Sequence, residues 1–205
     1  MLRNVRDHTR DLPDTICCIL LAPPFTSVGK NDVIPRLGYL DSRTGKPVHF
    51  YCAGYGGYWH QSLVPDMKDI GEHTYRDGTK IPWAFSQTLF ATFVNELEAS
   101  TSWKYSGGAD LLMLNQDVDF SQAIVFNIDK MVDDKAVDGA SQLFEAIIQF
   151  SRQHAGGAYE FSDRKGVRLL GQITVDAILS YLPPPLKQLW QTGRHYAIRN
   201  ITVST

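Results

Sequence analysis

The sequence lacks the features that mark several specialised classes of protein. Its longest apolar run, residues 16–22, is far shorter than the ~20 residues that a membrane-spanning helix needs. The N-terminal residues mix charges of both signs and include no apolar region typical of a secretory signal. Lys and Arg number 20 against 22 Asp and Glu, a net charge of −2, so no overall positive potential attracts nucleic acid or anionic lipid. We therefore expect a cytoplasmic protein that binds neither membranes nor nucleic acid.

Cysteine is scarce, and the common site motifs are absent. The three cysteines, Cys17, Cys18 and Cys52, lie in apolar runs, and an odd number predicts buried thiols rather than a disulfide framework. No Cys-x-x-Cys or His-x-x-x-His spacing occurs, so we assign no metal. The phosphate-binding G-x-x-x-x-G-K-[ST] motif and the nucleophile motif G-x-S-x-G are also missing. No motif therefore identifies a cofactor or a reaction, and the sequence leaves open whether the protein is an enzyme.

The length and composition predict one globular domain over residues 1–205. The chain has 205 residues, of which 43% are apolar, enough to bury one core. Residues 1–14 read as a polar lead-in. Three consecutive prolines at 183–185 interrupt any regular element, so residues 183–205 read as an irregular C-terminal segment with a strand-like tail.

The order of the predicted elements indicates the class of fold. Apolar runs with β-branched residues predict strands at 15–22, 48–53, 111–115 and 123–128. Periodic apolar positions and helix caps predict helices at 33–42, at 82–100 and from 138 or 141 to 154. This order predicts a three-layer α/β sandwich with a mainly parallel central sheet of four or five strands, Rossmann-like or flavodoxin-like. The tail adds an antiparallel C-terminal edge strand.

One candidate ligand-binding segment, residues 23–31, follows the first strand. Ligands of parallel sheets collect where the strands end at their carboxyl termini. Ser27, Lys30 and the backbone amides near Gly29 lie at a predicted helix start, and such groups hold phosphate or carboxylate. In the alternative interpretation Gly29 only makes a turn and Lys30 is a solvated charge.

A second candidate segment follows the second strand and has the sequence HFYCAGYGGYWH. Its glycines allow close approach of the backbone to a ligand, its aromatic rings offer flat faces to a base or sugar, and His60 titrates near neutral pH. The candidate ligand-binding residues are Gly54, Tyr55, Gly56, Gly57, Tyr58 and Trp59. The alternative is a tight turn whose rings cap the core.

Glu96 is a second candidate for proton transfer, besides His60. It lies late in the predicted helix 82–100, where the helix dipole and partial burial raise the pKa of a carboxyl group. In layout this resembles the nucleotide glycosyl-bond-cleaving enzymes related to Toll/interleukin receptor domains and nucleoside deoxyribosyltransferases. The first strand and loop, LLAPPFTS, do not reproduce a motif of that group. The alternative role of Glu96 is a surface acid paired with Lys104.

Acidic residues after the later strands form a weaker candidate site. Asp117 and Asp119 are spaced so that their carboxylates face one side of an extended chain, and oxygen ligands of this kind suit magnesium. Acid-rich loops also serve as solvated helix caps. We therefore include no metal in the predicted site.

Two functional hypotheses follow from these patterns. The first is binding, with hydrolysis or glycosyl-bond cleavage, of a small phosphorylated, nucleotide-like ligand held between segments 23–31 and 54–60. The second is a non-catalytic interaction subunit that docks a protein partner through the 54–82 loop and the C-terminal tail. The first hypothesis requires that both segments leave the sheet at the same edge.

Overall fold

The computed structural model describes residues 2–10, 15–43, 48–57, 64–74, 78–114, 118–120, 123–153, 178, 181, 196–199 and 201–202. The strands are β1 Ile16–Leu21, β2 Val48–Cys52, β3 Tyr55–Gly57, β4 Lys68–Thr74, β5 Lys80–Phe85, β6 Asp110–Leu114, β7 Ala123–Asn127 and β8 Tyr196–Arg199. The α-helices are α1 Leu2–Arg10, α2 Leu37–Arg43, α3 Gln87–Ser100, α4 Ile128–Asp133 and α5 Ala140–Gln153. A π-helical turn, Gly29–Val33, and a 3-10 turn, Ile34–Arg36, lead into α2.

The five-stranded main sheet has the order β2-β1-β6-β7-β8. Every residue of β1 is buried, as expected for an apolar strand with a neighbour on each side and helices above and below it. The prolines at 23 and 24 stop this strand, because proline cannot donate to the ladder. The apolar runs therefore mark β1, β2, β6 and β7 within one or two residues of their predicted bounds.

The prediction of a mainly parallel, Rossmann-like or flavodoxin-like sandwich is wrong. Among the described strands only β1 and β2 pair in parallel, and β1–β6, β6–β7 and β7–β8 are antiparallel. Only eight residues, 115–122, join β6 to β7, whereas a parallel crossover needs a dozen or more. The short connection forces β7 to return beside β6 in the opposite direction, and β8 then lies antiparallel at the edge.

The segment 54–82, which the sequence presents as a long irregular loop, contains most of a second sheet. This sheet is antiparallel and has the order β3-β5-β4. It packs against α2, where the His73 ring of β4 fills the place that a β-carbon on Gly38 would occupy, with a shortest approach of 1.9 Å. Glycine at position 38 thus lets the second sheet lie close to the helix.

Residues 80–85 also differ from the prediction of one helix over 82–100. They form β5, and α3 begins only after Ser86, whose side chain accepts a hydrogen bond from the backbone N–H of Leu89. Pro82 is tolerated in β5 because the described part of β3 pairs only as far as Trp83, so Pro82 has β4 on one side and no donor is required on the other.

Helices cover both faces of the main sheet. Successive side chains of a strand point to opposite faces, and on β2 the Phe50 ring meets Phe144 of α5 while Tyr51 meets His8 of α1. Residues 2–10 of the expected lead-in thus form a packed helix. One hydrophobic cluster contains buried residues from Val5 of α1 to Ile201 beyond β8. Within the described ranges no helix is long and apolar enough to cross a bilayer.

Candidate functional site

Segments 23–31 and 54–57 leave the main sheet side by side. The register of β1 and β2, from Ile16↔Val48 to Leu20↔Cys52, puts their carboxyl ends next to each other. The hydroxyl group of Tyr55 donates a hydrogen bond of 2.6 Å to the carbonyl oxygen of Ala22. The geometric condition of the ligand hypothesis, a shared edge for the two segments, is therefore met by their described residues.

The backbone of segment 23–31 is bonded within a tight turn. The amide of Gly29 donates to the hydroxyl oxygen of Thr26 at 3.0 Å, and the amide of Lys30 donates to the Thr26 carbonyl at 2.9 Å. A β-carbon on Gly29 would lie 2.0 Å from the carbonyl oxygen of Pro23, so only glycine fits there. These two amides are already satisfied, and glycine is needed for the turn itself.

The side chains of Ser27 and Lys30 lie on the surface of this turn. The hydroxyl oxygen of Ser27 accepts a hydrogen bond of 3.3 Å from the side-chain amide of Asn31. Neither Ser27 nor Lys30 belongs to the wall of the cavity that opens beside the second segment. A role for them in phosphate binding remains a prediction.

A cavity of about 400 Å³, here named the turn cavity, opens beside the β2–β3 turn. Its wall consists of α1 at Asn4 and Val5, residues 50–57 of β2 and β3, the Trp83 ring of β5 and the Phe93 ring of α3. Four of the predicted ligand-binding residues, Gly54, Tyr55, Gly56 and Gly57, therefore line it. None of the described lining residues carries a charged side chain, so the wall suits an apolar, planar group.

Gly54 makes the turn between β2 and β3. Its φ of +79° is in the left-handed region, and a β-carbon there would lie 2.7 Å from the β-carbon of Phe90. Its carbonyl oxygen accepts a hydrogen bond of 2.9 Å from the amide of Ser86, the residue before α3. Glycine at this position is required by both backbone conformation and packing.

Tyr55 forms a buried wall of the turn cavity. The edge of its ring meets Phe85, with ring centroids 5.0 Å apart, and its hydroxyl group is occupied by the Ala22 carbonyl. Burial raises the pKa of Tyr55 far above its usual value, with smaller contributions from Cys52 and Tyr105. Tyr55 therefore stays neutral and contributes shape rather than proton transfer.

Trp83 is a cavity residue that sequence reasoning missed. Its indole N–H is buried and has no hydrogen-bond partner in the structure. An unpaired buried donor costs about 1–3 kcal/mol. The register places Trp83 opposite Gly57, where the absent side chain leaves room for the ring. Reading KIPWAF as a strand would have brought Trp83 next to the glycines.

A cluster of two histidines and a tyrosine lies next to the turn cavity. Nδ1 of His8 lies 2.9 Å from the hydroxyl oxygen of Tyr51, which belongs to the cavity wall. The rings of His8 and His49 meet edge to face at 5.5 Å. Burial, and then the charge of His8, lowers the pKa of His49. The alternation HFY in β2 puts His49 and Tyr51 on one face, but only the docking of α1 brings His8 to them.

The structure does not bring Glu96 to this cavity. Glu96 is not among the residues of the cavity wall, although Phe93, three residues earlier in α3, is. Lys104 pairs with Glu98 at 3.6 Å. The other candidates, Tyr58, Trp59 and His60, lie outside the described residues, so their predicted roles stay predictions.

The remaining sequence candidates lie away from the turn cavity or outside the described ranges. Asp117 is outside them, and within them no three His, Cys, Asp or Glu residues are grouped so as to hold a metal ion. The C-terminal tail pairs through β8 with β7, and residues 68–74 form β4 of the second sheet. Docking of a protein partner through these segments remains a prediction.

Comparison with known proteins finds no family model, no curated protein and no solved structure that matches this chain.

Proposed function

We propose that the protein binds a small molecule whose planar, apolar ring occupies the turn cavity, at the carboxyl ends of β1 and β2. The observation that carries this proposal is a hollow of about 400 Å³ lined by Val5, Tyr55, Trp83, Phe93 and glycine backbone. Small-molecule sites typically measure ~300–1,000 Å³ and have mainly apolar and aromatic walls with a few polar groups.

The chemistry of the wall narrows the class of ligand. Trp83 and Phe93 offer faces or edges to a ring, and Gly56 and Gly57 allow the ligand to approach the backbone. The faces of a nucleobase or a similar heterocycle suit these aromatic walls, and its polar edge meets the unpaired N–H of Trp83 and the glycine backbone. Such a ring is the flat part of the nucleotide-like ligand expected from the sequence. Binding of a phosphate by Ser27 and Lys30, and bond cleavage by His60 and Glu96, are separate proposals that this cavity does not require.

Titration of the intact protein with free bases, nucleosides and nucleoside 5′-monophosphates tests the proposal. We expect a saturable rise in melting temperature with at least one base, since a ligand at 100 times its dissociation constant stabilises the folded state by ~2.7 kcal/mol. Equal affinity for nucleoside and monophosphate would assign binding to the ring. A flat response to the entire panel would contradict the proposal for this class of ligand.

Tryptophan fluorescence localises the bound ring. We expect Trp83→Phe to remove most of the ligand-dependent change in emission while a thermal shift on binding remains. The matched control is Trp103→Phe, because Trp103 is buried but lies outside the cavity wall. If the Trp103 variant lost the signal and the Trp83 variant kept it, the ligand would bind elsewhere.

A further inference from the structure

A second cavity, here named the Phe25 cavity, is lined in part by Phe85, whose ring meets that of Tyr55 in the wall of the turn cavity. It measures about 420 Å³ and is lined by Pro24 and Phe25, by residues 66, 68 and 70 at the start of the second sheet, and by Phe85 and Gln87. Tyr55 belongs to the wall of the turn cavity and Phe85 to the wall of this one. The two cavities have no lining residue in common.

Phe25 gives this cavity an exposed apolar side. Its exposed fraction is 65%, and it is the one large hydrophobic residue recorded as exposed in the part of the chain that the structure describes. Each Å² of apolar surface removed from water contributes ~25 cal/mol. Phe25 stands beside Ile70 and Phe85 in the same wall, so a ligand with an apolar body is stabilised there on several sides.

Lys68 gives the cavity a cationic group. Within the described ranges, Lys68 belongs to none of the ion pairs, which join other cations to acids, as Lys80 to Glu72 and Lys104 to Glu98. Lys68 lies directly opposite Phe85 in the register of β4 and β5. The ammonium group and the aromatic wall thus belong to the same side of the second sheet.

The carboxylate of the neighbouring Asp66 is hydrogen-bonded to the start of α3. It accepts a hydrogen bond of 2.6 Å from the Ser86 hydroxyl and one of 2.8 Å from the Thr88 amide. Asp69 accepts from the amide of Gly71 at 2.9 Å. Both carboxylates thus accept hydrogen bonds from other groups, and neither pairs with Lys68 in the ion pairs of the described residues.

We propose that the Phe25 cavity is a second ligand site, which takes an amphipathic anion. The aromatic or branched apolar body of the ligand packs against Phe25, Ile70 and Phe85, and its carboxylate, sulfonate or phosphate pairs with Lys68. The side-chain amide of Gln87 supplies a further polar contact at the rim. This site does not depend on the turn cavity, whose described wall carries no charged side chain.

The test compares two fluorescent probes that share a naphthalene body. The anionic probe is 8-anilinonaphthalene-1-sulfonate, and the neutral probe is 6-propionyl-2-(dimethylamino)naphthalene. We expect Lys68→Met to weaken binding of the anionic probe about 1.5-fold to fivefold, the range of an exposed charge pair, and to leave binding of the neutral probe unchanged. Phe25→Ser should weaken both probes, because it removes the apolar side of the cavity.

Lys104→Met is the matched control, since Lys104 is an exposed lysine outside the wall of this cavity. It should leave both affinities unchanged. Melting curves without probe should match for wild type, Lys68→Met and Phe25→Ser, because Phe25 and Lys68 are exposed. High salt should also weaken binding of the anionic probe to wild type, because it screens exposed charges.

Three results would overturn the proposal. The first is an unchanged affinity of Lys68→Met for the anionic probe, and the second is unchanged binding of both probes to Phe25→Ser. The third is a decrease in the sedimentation coefficient on Phe25→Ser without any probe, which would assign Phe25 to contact with a second copy of the chain. None of these results bears on ring binding in the turn cavity, which Trp83→Phe reports separately.

Discussion

The hydroxyl group of Tyr55 donates a hydrogen bond of 2.6 Å to the carbonyl oxygen of Ala22, across two segments that are 33 residues apart in the chain. Ala22 directly follows β1 of the main sheet, and Tyr55 begins β3 of the second sheet. Both groups are buried, so the bond fixes the position at which the second sheet departs from the main sheet. The turn cavity lies along this junction.

Tyr55→Phe should destabilise the protein by about 1–3 kcal/mol, because it leaves the Ala22 carbonyl without its donor in a buried place. The measurement is urea unfolding followed by circular dichroism. Tyr55→Leu should cost more, since it also removes the ring contact with Phe85. A Tyr55→Phe variant as stable as wild type would mean that this bond does not hold the junction.

Gly54→Ala should destabilise the protein more than Gly78→Ala does. Both glycines have a positive φ, +79° and +84°, but a β-carbon would lie 2.7 Å from Phe90 at position 54 and would have no neighbour within 4 Å at position 78. The shared backbone strain costs of order 1–3 kcal/mol, and overpacking adds ~1–3 kcal/mol only at Gly54. Thermal unfolding of both variants measures the difference, and equal losses would contradict the packing argument.

His49 should make stability depend on pH in the weakly acidic range. Burial and the charge of His8 lower the pKa of His49 below 6.5, so the unfolded chain binds more protons than the folded chain just below pH 6.5. The stabilisation is present above pH 6.5 and is lost as the pH falls towards the lowered pKa. The free energy of unfolding, measured with urea between pH 5 and 8, should depend less steeply on pH for His49→Gln than for wild type. His8→Gln should reduce the slope by less, because burial is the larger cause.

Asp66→Asn should lower the melting temperature, because the carboxylate caps the first turn of α3 through Ser86 and Thr88. These hydrogen bonds lower the pKa of Asp66 below 3.8, so their contribution is present above pH 3.8 and is lost as the pH falls through the lowered value. The decrease in melting temperature on acidification should therefore be smaller in the variant than in wild type. Asp133→Asn, at an exposed residue that ends α4, is the control and should leave this decrease unchanged.

Local sequence patterns predicted individual elements better than their arrangement. The apolar runs of β1, β2, β6 and β7 and the apolar stripe of α5 are visible in sequence because burial on adjacent residues leaves a local period. The predicted helix 82–100 includes residues 82–85 of β5 because Pro82 suits a first helical turn as well as a strand with an open side. The prediction that β6 and β7 are parallel is wrong because it follows from the order of the elements alone, whereas the short 115–122 connection favours an antiparallel pair.

The candidate site was predicted in part for a similar reason. A glycine- and aromatic-rich segment after a strand marks a place where the chain must turn closely, and Gly54 and Tyr55 do line a cavity. Trp83, Phe93 and Val5 were not foreseen, because nothing in their own neighbourhoods distinguishes a cavity wall from ordinary core. Their position depends on the register of β3 with β5 and on the packing of two helices.

The amino-acid sequence by itself determined that four apolar runs form the strands β1, β2, β6 and β7, that a periodic apolar stripe forms the helix α5, and that proline and glycine interrupt the chain after β1 and β2. These properties follow from side-chain burial and backbone sterics over a few neighbouring residues. Only the tertiary structure decided that a second sheet branches from the β2–β3 turn, that Tyr55 binds Ala22 and that Tyr55 and Phe85 each line a cavity. Those relationships join residues that are far apart in the chain, and their free energies depend on packing that no local pattern records.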